Sequence, residues 1–188
     1  RESASIGFVL SNSPVYDVTG PDAVPFLNSV AVNRDFGTLK VGSSKHVVIC
    51  NQDGYMIADG LMIKIGENHF RGYWLAPVLD FYVRTSELDV QGTWITDEYF
   101  YQIDGPKSLE VLESVTGANL HRLRFGQHTT ATLAGGEATV HRLGMSGALA
   151  YEVHGPSSVA REAYQILRDA VEGVGGKPQG FWNYSLVN

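Results

Sequence analysis

Two carboxylates interrupt apolar stretches of this sequence. Glu152 lies in a predicted strand, residues 149–154, in which apolar side chains alternate with other residues. Asp59 lies within residues 56–63, which are otherwise almost entirely apolar. A buried carboxylate is costly unless it is paired or faces a cleft. In a cleft it could accept hydrogen bonds from a ligand or move a proton.

Each carboxylate also fits a simpler structural explanation. Charged residues are mostly exposed, so Glu152 could stand on the outer face of its strand. Asp59 and Gly60 could form a β-bulge that points the acid to solvent. Gly144 and Gly147, just before Glu152, indicate a turn that needs positive φ or close backbone approach. Tyr184, near the end of the chain, fits an aromatic anchor for the tail.

Metal and nucleotide chemistry find no support in the residue spacing. The six histidines are dispersed without the spacings typical of zinc sites, so we predict no metal site. His141 and His154 could be neighbours across two strands, but no further ligand is evident. Residues 173–176 are glycine-rich but follow a helix, whereas a phosphate-binding loop precedes one.

Composition excludes further classes of function. The net charge of −6 argues against a nucleic-acid surface, because phosphate binding needs clustered Lys and Arg. The sequence has no apolar run of the roughly 18–20 residues that span a bilayer and no signal peptide. The single cysteine, Cys50, cannot form a disulfide within the chain. We expect a cytoplasmic protein without nucleic-acid or membrane partners.

The elements that position these residues follow from periodicity and turn composition. Asp22 is a candidate N-cap of the first helix, and residues 51–54 are a hairpin turn by composition. The predicted strands are residues 8–11, 15–19, 45–50, 55–65, 69–75, 100–103, 137–143 and 149–154, and residues 126–133 are predicted to form a short strand or a turn. The predicted helices are residues 22–30, 105–115 and 157–173. Residues 77–90 are ambiguous, and one interpretation is a helix that ends near residue 88.

A strand–Gly-Pro–helix unit occurs twice. Residues 18–30 align with residues 103–115, and the two Gly-Pro pairs, Gly20-Pro21 and Gly105-Pro106, are 85 residues apart. The spacing is too long for a solenoid repeat. We therefore predict an α+β fold of two related ferredoxin-like modules, residues 1–95 and 96–188, each with a sheet covered by helices on one face.

Taken together, the motifs resemble the folate-binding region of the glycine-cleavage T-protein (aminomethyltransferase) family, which includes tetrahydrofolate-dependent demethylases. Four segments match in order across nearly the whole chain. They are residues 18–28, residues 39–59, residues 103–108, and the Gly-rich turn and strand that contain Arg142, Gly144, Gly147, Tyr151 and Glu152. Because such family members are longer, we expect sequence to be missing from both ends.

The resemblance implies a cofactor and site residues. Tetrahydrofolate would be the cofactor, and Glu152 would bind its pterin ring, with Arg142 and Tyr151 in the same motif. A pterin presents a ring N–H and an amine side by side, and one carboxylate can accept both. Asp59 matches the second acid of a family Asp-Asp pair near the pterin and the one-carbon unit. Catalysis in this family is mostly positioning of the donor against folate N5.

Departures from the family pattern bear on the substrate. Ala58 replaces the first acid of the pair, His46 a tyrosine, and Met145-Ser146 a Tyr-Thr pair. Residues 180–188 resemble those of aryl-methyl-ether demethylases, in which a tyrosine protonates the departing phenolate; Tyr184 is the candidate. We expect a small-molecule methyl donor, such as a methoxylated aromatic acid. The alternatives are an aminomethyltransferase, which needs a lipoyl carrier protein, and a non-catalytic folate-binding domain.

Overall fold

The computed structural model describes residues 2–6, 14–33, 35–144 and 147–180. Short 3-10 turns lie at Phe36–Thr38 and Ser157–Val159. In chain order the strands and α-helices are β1 Ser5–Ile6, β2 Val15–Thr19, α1 Ala23–Val30, β3 Ser43–Cys50, β4 Met56–Gly66, β5 His69–Tyr73, α2 Ala76–Thr85, β6 Gln91–Ile95, β7 Glu98–Asp104, α3 Ser108–Thr116, β8 His128–Leu133, β9 Gly136–His141, β10 Ala150–Pro156, α4 Ala160–Gly173 and β11 Lys177–Pro178.

Contacts divide the chain into two compact units. One consists of residues 13–96, and the other of residues 97–188 together with residues 1–12. We call them the 13–96 unit and the 97–188 unit. Strand β1 therefore lies in the 97–188 unit, whereas the sequence prediction grouped it with residues 1–95.

The 13–96 unit has a five-stranded sheet with α1 and α2 packed on one face. The strand order is β3-β4-β5-β2-β6, and all neighbours are antiparallel. Alternate residues of the strands point toward the helices because side chains in a strand alternate between faces. The buried core on that face includes Tyr16, Val18, Phe26, Leu27, Val47, Ile49, Met62, Phe70, Leu75 and Leu79.

The 97–188 unit repeats this design. Its strand order is β11-β1-β7-β10-β9-β8, with α3 and α4 packed on one face. The last predicted helix is present as α4, and its residues Ala163, Leu167 and Val171 are buried. The core on the helix side also includes Tyr101, Ile103, Val111, Leu112, Val140, Tyr151 and Val153.

The duplication seen in the sequence extends to the sheets. The order β3-β4-β5-β2-β6 of one matches β8-β9-β10-β7-β1 of the other. Gly20 and Gly105 have φ of 126° and 109°, and a Cβ on them would lie 2.4 Å from the Asp89 carbonyl oxygen and 2.2 Å from that of Ser3. Each Gly-Pro turn is thus pressed against the residues that lead into the fifth strand, Asp89-Val90 before β6 and Ser3-Ala4 before β1.

Several local predictions differ from the structure. Strands β1, β6 and β11 were not predicted, because two are only two residues long and β6 is a mostly exposed edge strand without clear alternation. Asp22 stands at the N-cap of α1 but makes no side-chain cap; its carboxylate accepts the Asp89 N–H instead, at 3.0 Å. Predicted strand 8–11 lies outside the described residues. Among the described helices, none has the length and apolar character to cross a membrane.

Candidate functional site

Glu152 is buried on the face of its sheet opposite the helices. Its neighbours Tyr151 and Val153 point into the core, so the alternation of the strand directs Glu152 and His154 to the other side. Only 2% of Glu152 is exposed. The explanation that placed it on the protein surface is therefore wrong.

Two buried histidines flank the Glu152 carboxylate. His141 on β9 stands directly opposite Glu152 in the antiparallel register, and His154 lies two residues further along β10. Glu152 Oε2 is 3.6 Å from His141 Nδ1 and 3.5 Å from His154 Nε2. On its other side, His154 Nδ1 lies 3.7 Å from Glu98 Oε2 on β7. These distances are those of close charge contacts, longer than good hydrogen bonds.

The charges of this group reinforce one another. Burial raises the pKa of Glu152, but His141 and His154 outweigh it, so the pKa lies below its ordinary value. Burial lowers the pKa of His154, but Glu152 and Glu98 outweigh it, so that pKa is raised. Burial, together with His141 and His154, lowers the pKa of His128 on β8 to about 4. At neutral pH Glu152 is therefore an ionised carboxylate, and His128 is neutral.

Unused hydrogen-bonding capacity distinguishes Glu152 from the buried acid of the other unit. By the repeat, Gln102 and Glu152 occupy the places that Asp17 and Arg71 occupy in the 13–96 unit. Asp17 accepts from Arg71 Nε at 2.7 Å and Nη2 at 2.9 Å, and His69 Nε2 lies 2.7 Å from it. Among the described residues, by contrast, Glu152 Oε2 has no hydrogen-bond partner. Asp17 is thus satisfied within the fold, whereas Glu152 can still accept hydrogen bonds.

The same three side chains could also hold a metal ion. One potential ligand atom from each of His141, Glu152 and His154 lies within 4.8 Å of the others. Two imidazoles and a carboxylate form a donor set that Zn²⁺ or Fe²⁺ accepts. The sequence prediction of no metal treated the two histidines as a pair, and the structure adds Glu152 as a third possible ligand.

Tyr151 and Arg142 were both predicted from the motif to bind the cofactor. The Tyr151 side chain points away from the Glu152 carboxylate, and the Arg142 side chain binds a backbone carbonyl. Tyr151 is 1% exposed and lies in the core, on the face opposite Glu152. Arg142 is half-buried, and its Nη1 donates to the Leu123 carbonyl at 2.8 Å. The structure therefore does not bring the Tyr151 side chain to the face that carries Glu152.

Asp59 belongs to the 13–96 unit and is about half exposed, with 51% of its side chain accessible. It pairs with His46 across the β3–β4 ladder. The bulge explanation is wrong, because Asp59 and Gly60 pair regularly with Val48 and Val47, and the register shift lies at Ile49/Cys50. Tyr184, Met145 and Ser146 lie outside the described residues.

The polar character of the face around Glu152 was missed from the sequence. In β7, Glu98, Gln102 and Asp104 share that face, while Tyr99, Tyr101 and Ile103 point toward the helices. Gln102 Nε2 donates to Asp104 Oδ1 at 2.8 Å, and both side chains are buried. The period-two alternation of polar and apolar residues along residues 98–104 was the available signal.

Comparisons with known proteins give the chain a family. Residues 3–185 match the family model described as GCVT N-terminal domain. The chain is 44% identical to a sesamin methylene transferase of Sinomonas sp. (strain No.22), over 99% of this chain and 42% of that protein. It is 29% identical to a syringate O-demethylase of Sphingobium sp. (strain NBRC 103272 / SYK-6), over 74% of this chain and 33% of that protein.

The fold agrees with a solved member of this group. The structure of glycine cleavage system aminomethyltransferase T from Bartonella henselae superposes with a TM-score of 0.76, at 23% identity, over 89% of this chain and 46% of that one. The T-protein fold predicted from the sequence is therefore confirmed. The chain spans less than half the length of these relatives. It belongs to the GCVT N-terminal domain family, the family of the glycine-cleavage T-protein.

Proposed function

We propose that this chain is the folate-binding part of a tetrahydrofolate-dependent one-carbon transferase, with Glu152 as the acceptor for the pterin ring. The observation that carries the proposal is the buried carboxylate, ionised and still able to accept hydrogen bonds. It stands at the glutamate position of the Gly-rich motif by which the chain resembles the family.

The chemistry of the carboxylate suits a pterin. An ionised carboxylate accepts two parallel N–H bonds, and charge-assisted hydrogen bonds are stronger than neutral ones. A ring N–H and an adjacent amine on the ligand would donate to the Glu152 carboxylate, whose Oε2 has no hydrogen bond from the described residues. In this proposal Arg142 holds the segment around Leu123 in place through its hydrogen bond to the Leu123 carbonyl. Tyr151 packs in the core and thereby fixes β10 from the helix side.

We propose an aromatic ether as the one-carbon donor. Two relatives are named for sesamin methylene transfer and syringate O-demethylation, and both reactions concern a one-carbon unit on an aromatic compound. Tyr184 would protonate the departing phenolate, and Asp59 would lie near the one-carbon unit, as the resemblance implies. The partner is then a small molecule. A lipoyl carrier protein is required only if the protein is an aminomethyltransferase.

A binding measurement tests the cofactor and Glu152 together. Titration of the intact protein with tetrahydrofolate should give saturable binding, weakened roughly 10- to 100-fold by Glu152→Gln, because hydrogen bonds to a charged group contribute about 1.5–3 kcal/mol. The matched control is Glu137→Gln, an exposed acid on β9, which should bind like the wild type. No binding by the wild type would reject the cofactor, and equal binding by Glu152→Gln would reject the site.

Turnover distinguishes the catalytic alternatives. Incubation of the intact protein with tetrahydrofolate and either sesamin or syringate should give a one-carbon folate and a phenol, and Tyr184→Phe should slow the reaction without weakening folate binding. Folate binding without turnover of any aromatic ether would favour a non-catalytic domain. The presence of Ala58 in place of the first acid of the family Asp-Asp pair supports that alternative. Release of ammonia from an aminomethyl-loaded lipoyl carrier would establish the aminomethyltransferase instead.

A further inference from the structure

We propose that His141, Glu152 and His154 form a binding site for one divalent transition-metal ion such as Zn²⁺, with Glu98 orienting the His154 ring. The three ligands come from strands β9 and β10 of the 97–188 unit. The site does not depend on the proposed function, although it uses the same carboxylate as the proposed pterin contact.

The pairing of β9 and β10 places the three side chains on one face of the sheet. His141 stands directly opposite Glu152 in the antiparallel register, and His154 lies two residues after Glu152 on the same strand. Residues directly opposite in paired strands are neighbours on one face, and residues two apart in a strand share that face. One potential ligand atom from each side chain lies within 4.8 Å of the others, so small rotations of the side chains bring all three to one ion.

The distances between the ligand atoms fit coordination better than hydrogen bonding. Glu152 Oε2 lies 3.6 Å from His141 Nδ1 and 3.5 Å from His154 Nε2, whereas N–H···O hydrogen bonds are about 2.7–3.2 Å long. Nitrogen and oxygen ligands lie about 2.0–2.2 Å from Zn²⁺, so two ligands of a tetrahedral ion are about 3.3–3.6 Å apart. The carboxylate oxygen is therefore separated from both nitrogens as ligands of one ion are.

The burial of Glu152 creates a need for a cation. The carboxylate and both imidazoles are buried, and Glu152 Oε2 accepts no hydrogen bond from the part of the chain that the structure describes. Buried charges in proteins are paired or coordinate metals, because an isolated buried charge is costly. A metal ion would satisfy this oxygen at short range, which the imidazoles at 3.5 and 3.6 Å do not.

The surroundings of His154 are those of a metal-binding imidazole. Its Nε2 faces Glu152, and its Nδ1, on the other side of the ring, lies 3.7 Å from Glu98 Oε2. Phe100 packs against the ring with a centroid separation of 4.2 Å. A carboxylate beside the second nitrogen of a metal-binding histidine fixes the orientation of the ring and makes the other nitrogen a better ligand. Glu98 is placed to do this for His154.

The other unit shows that the sheet does not require these residues. By the repeat, Arg71 occupies the place of Glu152, and Ile63 stands opposite Arg71 as His141 stands opposite Glu152. Tyr73, two residues after Arg71, occupies the place of His154. Arginine and isoleucine do not bind zinc. The set of ligands is thus a property of the 97–188 unit and not of the shared architecture.

The donor atoms define the class of ion. Two imidazole nitrogens and one carboxylate oxygen suit Zn²⁺ and neighbouring transition metals, whereas Mg²⁺ and Ca²⁺ prefer oxygen ligands alone. Three protein ligands leave one position of a tetrahedral ion for water or another molecule, as in catalytic zinc sites.

Metal titration tests the site on the intact protein, without a histidine tag and after removal of metal with a chelator. Calorimetry should show one Zn²⁺ per chain, and Co²⁺ should give the visible absorption of a four-coordinate site, which Zn²⁺ abolishes and Mg²⁺ does not. Glu98→Gln, which keeps all three ligands, should weaken Zn²⁺ binding about 10- to 100-fold, and His154→Phe should weaken it further. His69→Gln removes the histidine beside the buried Asp17 of the other unit; it is the matched control and should bind Zn²⁺ like the wild type.

A competition measurement separates this inference from the proposed function. The ion and the pterin would use the same Glu152 oxygen, so Zn²⁺ should weaken tetrahydrofolate binding to the wild type. The folate affinity of His154→Phe, whatever its value, should not respond to Zn²⁺, which controls for binding of the metal by folate in solution. If the wild type binds Zn²⁺ but no folate, the proposed function fails and the metal site stands.

Three results would overturn the inference. The first is the lack of a saturable Zn²⁺ site in the wild type. The second is a Zn²⁺ affinity that is unchanged in both His154→Phe and Glu152→Gln, since the ion would then lie elsewhere. The third needs no variant that must fold: in nuclear magnetic resonance spectra of the wild type, Zn²⁺ should shift the ring signals of His141 and His154 and not that of His69, and any other pattern would contradict the site.

Discussion

At equivalent positions of the two sheets, the half-buried Arg71 and the buried Glu152 carry opposite charges. Arg71 is matched within the fold by Asp17, through two hydrogen bonds of 2.7 and 2.9 Å. Glu152 faces two histidines at longer range and retains an acceptor oxygen. The same place in the repeat therefore serves stability in one unit and, in our proposal, ligand binding in the other.

Removing Arg71 should destabilise the 13–96 unit strongly. Arg71→Met leaves the Asp17 carboxylate, whose side chain is 8% exposed, without its bidentate partner. Breaking a buried pair in this way costs about 3–5 kcal/mol. Urea unfolding at pH 7 measures the loss, and Arg161→Met, at an exposed arginine of α4, is the control. A loss below about 1 kcal/mol would be that of a surface ion pair and would contradict the description of a buried one.

The destabilisation should also depend on pH with a definite sign. Burial raises the pKa of Asp17, but Arg71 and His69 outweigh it and hold the pKa below its ordinary value. A depressed folded-state pKa gives stability that is present above the unfolded pKa and lost as pH falls through the folded one. The difference between wild type and Arg71→Met should therefore shrink as the pH falls below about 4. A difference independent of pH would contradict the assignment to Asp17.

At the scale of elements, the Gly-Pro turns explain why the repeat is visible in the sequence. Gly105 has positive φ and lies against the Ser3 carbonyl, and Gly20 meets Asp89 in the same manner. Only glycine combines that φ with such close backbone approach. The turn fixes the end of the first strand of each repeat against the strand beside it, so the motif is constrained by packing as well as by turn conformation.

Gly105→Ala should therefore destabilise the protein more than an alanine at a glycine in open space. Gly117, the C-cap of α3, also has positive φ, but a Cβ there would meet nothing within 4 Å. We expect Gly117→Ala to cost about 1 kcal/mol in backbone strain, and Gly105→Ala to cost a further 1–3 kcal/mol or so from overpacking. Chemical unfolding of the two variants gives the comparison. Equal losses would show that the strand beside Gly105 moves away freely.

At the scale of the molecule, the 97–188 unit is made from two separate parts of the chain, with the 13–96 unit between them in the sequence. Residues 1–12 belong with residues 97–188. Strand β1 lies between β7 and β11, and Ile6 is fully buried in the core of that unit. The N-terminal segment is thus an integral strand of the sheet that carries Glu152.

Deleting residues 2–6 should weaken the 97–188 unit selectively. The deletion removes the apolar contacts of Ile6, worth about 1.5–3 kcal/mol for a fully buried side chain, and the pairing of β7 and β11 with β1. Amide hydrogen exchange should accelerate in β7 and β10 and change much less in β2–β5. Replacing only the exposed Glu2 with Ala is the control. Uniform acceleration across both units would show that they unfold as one.

Much of the fold could be read from local patterns. The hairpin of β3 and β4, helices α1, α3 and α4, and strands β9 and β10 follow from turn residues and periodicity, which act over a few neighbouring residues. Strands β1 and β11 could not be predicted in this way. They consist of two residues each, and they exist because distant segments pair with them.

For the candidate site, too, some features followed from the sequence and others only from the tertiary structure. By itself the sequence determined the family, the duplication, and Glu152 as an acid within an apolar strand. Only the tertiary structure decided that this acid is buried, that His141 and His154 flank it, and that Tyr151 points to the opposite face. The physical reason is that alternation assigns a residue to one of two faces, whereas strand pairing and register decide which face is polar and which side chains meet on it.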